Sequence, residues 1–148
     1  MDTSEVSPGA VLVLMGSMRT PWRGQVLAAL KDTAWILRTN EAHQAWADLS
    51  MRSPEAAHQA RIQLFAQEEE LVAGAKAVFT HIETGSKTVL AELGLLLAGA
   101  RQRAVVVHAD PGVEGRVVLS AMVEQRGGLW VETWDEAYSL LRQLAREL

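Results

Sequence analysis

The chain has 148 residues, 49% of them hydrophobic, which suits one compact domain with a full core. A net charge of −4, with basic residues scattered, argues against a nucleic-acid polymer or an anionic membrane surface as partner. The absence of cysteine removes disulfides, thiol catalysis and cysteine-based zinc sites, and fits a cytoplasmic protein.

Residues 1–9 (M-D-T-S-E-V-S-P-G) read as a flexible N-terminal tail, polar and acidic and unlike a signal peptide. Residues 10–148 read as a single α/β domain. The run 10–15 (A-V-L-V-L-M) is a buried strand broken by Gly16. Pro21 opens a helix at its favoured first-turn position, and this helix reaches about Asp32. Residues 34–39 (A-W-I-L-R-T) form a second strand, with Arg38 marking an edge. A long polar loop over 40–53 leads to Ser53-Pro54, which starts a helix ending near Gly74. The third strand is 76–82 (K-A-V-F-T-H-I). A tight Glu83-Thr84-Gly85-Ser86 connection leads to a helix over 88–100. The fourth strand is 103–108 (R-A-V-V-V-H), closed by Ala109-Asp110-Pro111-Gly112. A helix from about Val113 to Arg126, a short strand over 129–133 and a last helix over 135–147 complete the chain. No apolar run reaches membrane-spanning length.

Strands alternating with helices predict a doubly wound parallel sheet of five strands, most simply in the order 2-1-3-4-5. Its ligand crevice lies beyond the carboxyl ends of strands one and three, where the winding reverses. The segments 16–22 (G-S-M-R-T-P-W) and 83–88 (E-T-G-S-K-T) would line it. Glu92 stands on the helix that leaves the second segment. It is the only charge in 88–100 (T-V-L-A-E-L-G-L-L-L-A-G-A). A helix apolar on all sides is normally buried, and a carboxylate there costs several kcal/mol unless it is paired or employed. The two readings are a satisfied core glutamate and a positioned catalytic carboxylate; the helix's place at the crevice favours the second.

Thr88 lies four residues before Glu92, on the same helix face, where its hydroxyl can hold the carboxylate and help keep it ionised. A nucleophilic carboxylate requires such pKa-lowering influences to outweigh burial. A lone carboxylate nucleophile suits a glycosidic carbon, whose oxocarbenium-like transition state attracts negative charge. No second carboxylate is obvious, but a nucleobase leaves with little help. Gly85-Ser86-Lys87-Thr88 reads either as a small anion site or as plain capping by Ser86, with Arg19 and Arg23 as further anion partners. Trp22 and Trp46 are placed to stack on a base or to pack. His81 and His108 end neighbouring strands, as hydrogen-bond donors to a base or as structural residues. Their order matches no usual metal-ligand spacing, so neither a metal nor a cofactor is expected. Glu68-Glu69-Glu70 falls in the half of its helix expected at the far end from the crevice, as a solvated face. Trp134 and Tyr138 read as packing residues.

The run A-E-L-G-L at 91–95, following a third strand and a threonine-containing loop, resembles the E-L-G motif of the nucleoside 2-deoxyribosyltransferase-like family. V-L-V-L-M-G-S at 11–17 with Trp22-Arg23, then Asn40 with Trp46 and Asp48, then V-V-V-H-A-D-P-G at 105–112, extend the resemblance over roughly residues 10–120. In that family the E-L-G glutamate attacks the anomeric carbon and displaces the base. The resemblance therefore implies that Glu92 is the nucleophile. It also implies a substrate-binding set of Gly16, Ser17, Trp22, Asn40, Trp46, Asp48, Glu83, Ser86 and Thr88. The implied partner is a small nucleoside or nucleotide, and the implied assembly at least a homodimer. Leu95, Leu96, Leu97, Trp46 and Leu49 are expected to supply the apolar contact. The chain departs from the family in two places. Glu83 is the nearest acid where an aspartate commonly follows the third strand, and Glu41-Ala42-His43 replaces a Pro-Arg run. These departures favour the competing class, a non-catalytic nucleotide-binding or sensor domain.

Overall fold

The computed structural model describes residues 10–17, 19–39, 53–85 and 87–148, without the side chains of Lys87 and Thr88. Its elements are β1 (Val11–Gly16), α1 (Trp22–Leu30), β2 (Ile36–Thr39), α2 (Pro54–Ala73), β3 (Ala77–Ile82), α3 (Lys87–Ala98), β4 (Ala104–Ala109), α4 (Arg116–Gln125), β5 (Leu129–Val131) and α5 (Trp134–Arg146). The five strands form one sheet in the order β2-β1-β3-β4-β5, every pair parallel, as the alternation of strands and helices predicts. No described helix is long and apolar enough to cross a membrane.

The period of two along each strand divides the core into two layers. Leu12, Leu14, Ala77, Phe79 and Val106 face α1 and α5, against Val26, Leu30, Ala137 and Leu141. Val13, Met15, Val78, Ile82, Val105 and Val107 face the other way, against Val89, Leu93, Leu96 and Leu97 of α3 and Val123 of α4. Each of those four α3 residues contributes about 1.5–3 kcal/mol by burial. Together they outweigh the cost of carrying one partly buried carboxylate on the same helix.

Element ends follow local chemistry. Ser53 Oγ accepts the Ala56 N–H and Thr133 Oγ1 accepts the Glu136 N–H, capping α2 and α5. Three helix ends differ from expectation. Pro21 sits just before α1 rather than inside it, and the helix stops at Leu30, whose carbonyl accepts both the N–H and the hydroxyl of Thr33. Helix α4 starts at Arg116 rather than Val113, because Asp110 and Val113 close a turn and Gly115 takes a left-handed φ of 73° before the first helical residue.

Candidate active site

The carboxyl ends of β1 and β3 are tied to one another. Gly16 has a φ of 129°, and a Cβ there would lie 2.8 Å from the His81 nitrogen and collide with its carbonyl oxygen. The next residue continues the contact, with Ser17 N donating to His81 O at 2.9 Å and Ser17 Oγ accepting the Glu83 N–H at 2.8 Å. Glu83, 4% exposed, returns the link through its carboxylate, which accepts the N–H groups of Arg19 at 3.1 Å and Thr20 at 3.3 Å. Arg19 Nη1 donates to the Thr84 carbonyl. The two segments expected to part and line a crevice are thus zipped together. Gly16, Ser17 and Glu83, expected as substrate contacts, serve here to hold this junction. Arg19 and Arg23, expected as anion partners, are spent on carbonyl oxygens: Arg23 donates to Ser17 O at 2.9 Å and Gly16 O at 3.0 Å.

Trp22 also departs from expectation. It begins α1, and its indole is 1% exposed, with Nε1 donating to Ser17 O, which selects packing over stacking on a base. It packs edge-on against Phe79 and His81. An indole buried this way stabilises the layer between the sheet and α1 and has no face to offer a base. Asn40, Trp46, Asp48 and Ser86 lie outside the described residues, as do Leu49 and the Thr88 side chain, so the expected Thr88–Glu92 contact lies outside them too.

Glu92 opens on the other side of the junction. It lines a cavity of about 290 Å³ between α2 and α3, walled by Met15, Phe65, Val72, Leu95 and Leu96, with Glu68, Glu69 and Arg103 as its polar neighbours. Its carboxyl is pushed up to about 7, first by burial and then by the negative charge of Glu68, against the pull of Arg23. This reverses the expected balance, in which pKa-lowering influences win. At neutral pH the group is divided between acid and carboxylate, the range in which one residue serves as general acid, base or nucleophile.

Glu68 is the residue the sequence reading misplaced. The run Glu68-Glu69-Glu70 looks uniformly solvated, yet Ala57, Leu64, Glu68, Leu71 and Val72 follow helical spacing along the face that α2 turns inward. That stripe carried the signal, hidden by the acids beside it, of which Glu69 borders the same cavity and Glu70 is exposed. The cavity also extends far enough along α2 that its second half reaches Glu92, contrary to the placement expected from helix direction alone.

A second cluster of ionisable groups sits on the opposite face of the sheet. His81 and His108 pair in register across β3 and β4, 2% and 3% exposed, with their Nδ1 atoms 2.9 Å apart. Burial pushes both imidazoles down, His108 to about 4, with His81 and Arg116 adding to the effect on His108. His81 Nε2 lies 3.5 Å from an Asp110 oxygen, and Trp134 packs 4.6 Å from both rings. Buried this way, neither histidine is presented to a base at the surface.

The exposed apolar surface differs from expectation as well. Leu96 and Leu97 are core residues, whereas Leu90, Leu95 and Ile62 remain exposed on α3 and α2. Set against known proteins, the chain matches no protein-family model and no curated sequence.

Proposed function

We propose that the chain cleaves or transfers at the N-glycosidic bond of a (deoxy)nucleoside or nucleotide, with Glu92 as the attacking carboxylate. The observation that carries this reading is Glu92 itself: the only charge in residues 88–100, opening with Glu68 into a cavity whose other walls are largely apolar. Ionised Glu92 attacks the anomeric carbon, the C–N bond breaks, and its electron pair leaves with the base, which takes a proton. A glycosyl ester of Glu92 remains, released to water or to a second base. Ester formation removes one of two adjacent negative charges, so the repulsion from Glu68 that raises the pKa also favours the step. Motif resemblance supplies the substrate class; the paired carboxylates support the reaction type. The same reading includes a cytoplasmic homodimer that places Ile62, Leu90 and Leu95 at the contact beside the cavity.

The test is base release from a panel of nucleosides and 5′-nucleotides by the parent chain and by Glu92→Gln, with melting curves as the folding control. The variant should fold and lose several powers of ten in rate, an increase in activation free energy on the order of 4–7 kcal/mol. Unchanged release in the variant removes Glu92 from the chemistry. A second reading, a non-catalytic nucleotide-binding domain, is favoured by the zipped junction between residues 16–20 and 83–85, where the crevice of such a sheet normally opens. Nucleotide binding without base release by the parent chain would select it.

A further inference from the structure

We propose that His81, His108 and Asp110 bind one borderline divalent cation of the Zn²⁺ class at the carboxyl edge of β3 and β4. One nitrogen of each histidine and one oxygen of the aspartate lie within 4.8 Å of one another. The two rings face each other, with centroids 4.9 Å apart and planes 19° from parallel. Zinc–imidazole bonds of about 2.0–2.1 Å in a tetrahedral arrangement hold two nitrogens roughly 3.3 Å apart. The present Nδ1 separation of 2.9 Å is therefore a few tenths of an ångström short, and Asp110 now approaches Nε2 of His81, so loading one ion requires a small ring movement and a swing of the exposed Asp110 side chain toward the Nδ1 atoms.

Asp110 is the first residue after β4. Its backbone is pinned, with its N–H on Ile82 O and its carbonyl accepting from Val113, while its side chain is 38% exposed and stands on the solvent side of the pair. It thus provides both the charged ligand and the way in. Two imidazoles and one carboxylate form a mixed nitrogen and oxygen set, which suits Zn²⁺ and its neighbours rather than Mg²⁺ or Ca²⁺. Trp134 and Trp22 back the pair with an apolar shell that excludes water from behind. A fourth coordination position is left for water. The site lies on the α1 and α5 face of the sheet, opposite Glu92, and does not depend on the proposed reaction.

The full chain, stripped of metal, is titrated with Zn²⁺ by calorimetry and with Co²⁺ by visible absorption and tryptophan fluorescence. One equivalent of Zn²⁺ should bind and raise the melting temperature. Co²⁺ should give the absorption of a four-coordinate ion and quench fluorescence, since Trp134 is in ring contact with both histidines. Asp110→Ala should weaken binding about ten-fold to a hundred-fold, and His108→Gln should abolish it. His58→Ala, on the exposed side of α2, should change nothing. No saturable binding, binding equal to the parent in both Asp110→Ala and His108→Gln, or equal affinity for Mg²⁺ overturns the proposal and leaves a hydrogen-bonded histidine pair. Should His108→Gln fail to fold, Asp110→Ala, at a surface turn, decides the matter alone.

Discussion

Glu92 titrates near 7, so its protonation changes across the range in which the chain is handled. A carboxyl with a raised folded-state pKa holds its proton more tightly in the folded chain than in the unfolded one. Its contribution to stability is complete below the ordinary value of 4.5 and is lost as pH rises through about 7. Chemical denaturation between those limits should show stability falling with pH by at most about 1.4 kcal/mol per unit, less where water screens the partly open group. Glu92→Gln should flatten that slope. Activity runs the other way: attack requires the ionised form, so base release should rise with pH and level off above about 7. Glu68→Gln removes the nearby negative charge and should move the rising limb to lower pH, read from rate profiles of the two chains. A limb unmoved in Glu68→Gln would show that the two carboxyls do not communicate. Glu92 was visible in the sequence because one charge in the apolar run 88–100 has no innocent pattern. Glu68 was not, because residues 69 and 70 mask the helical phase that turns it inward; its charge adds to a rise in the Glu92 pKa whose first cause is burial.

At the scale of elements, the strands and the start of α2 at Ser53 were readable and the junctions between elements were not. Ser53 announces α2 through a side-chain oxygen placed to accept an orphan N–H, a relation local in sequence; Thr133, read as the end of a strand, caps α5 in the same way. Ser53→Ala and Thr133→Ala should each cost about 1 kcal/mol in denaturant unfolding. Gly16 appears in the sequence only as a strand breaker. Its actual work, letting β1 run against the His81 backbone, involves a residue 65 positions later in the chain and follows from register. Gly16→Ala should destabilise by about 2–3 kcal/mol, through a φ that side chains rarely adopt and a collision with backbone that cannot swing away. A melting temperature equal to the parent's would show that the junction relaxes. Trp22, left open between stacking on a base and packing, packs for the same reason: its burial is decided by Phe79, His81 and Trp134, which the sheet and α5 bring to it.

For the whole molecule, sheet order followed from alternation, connection handedness and length, constraints that act on any chain of this pattern. The position of the cavity did not follow from them. The general rule puts the opening between the carboxyl ends of β1 and β3, but Glu83 and Ser17 close that seam and Glu92 opens instead between α2 and α3. Assembly belongs to this scale too. Light scattering at micromolar concentration should give a homodimer, and Leu95→Glu should return it to a monomer, because Leu95 is 67% exposed on the helix that carries Glu92. The central claim is chemical, and intact mass tests it most directly. After incubation with a panel of nucleosides and 5′-nucleotides, the parent chain should carry a sugar-sized or sugar-phosphate-sized adduct that maps to the peptide containing Glu92, and Glu92→Gln should carry none. An adduct retained in Glu92→Gln, or neither adduct nor free base with the parent chain on any substrate, would contradict the account.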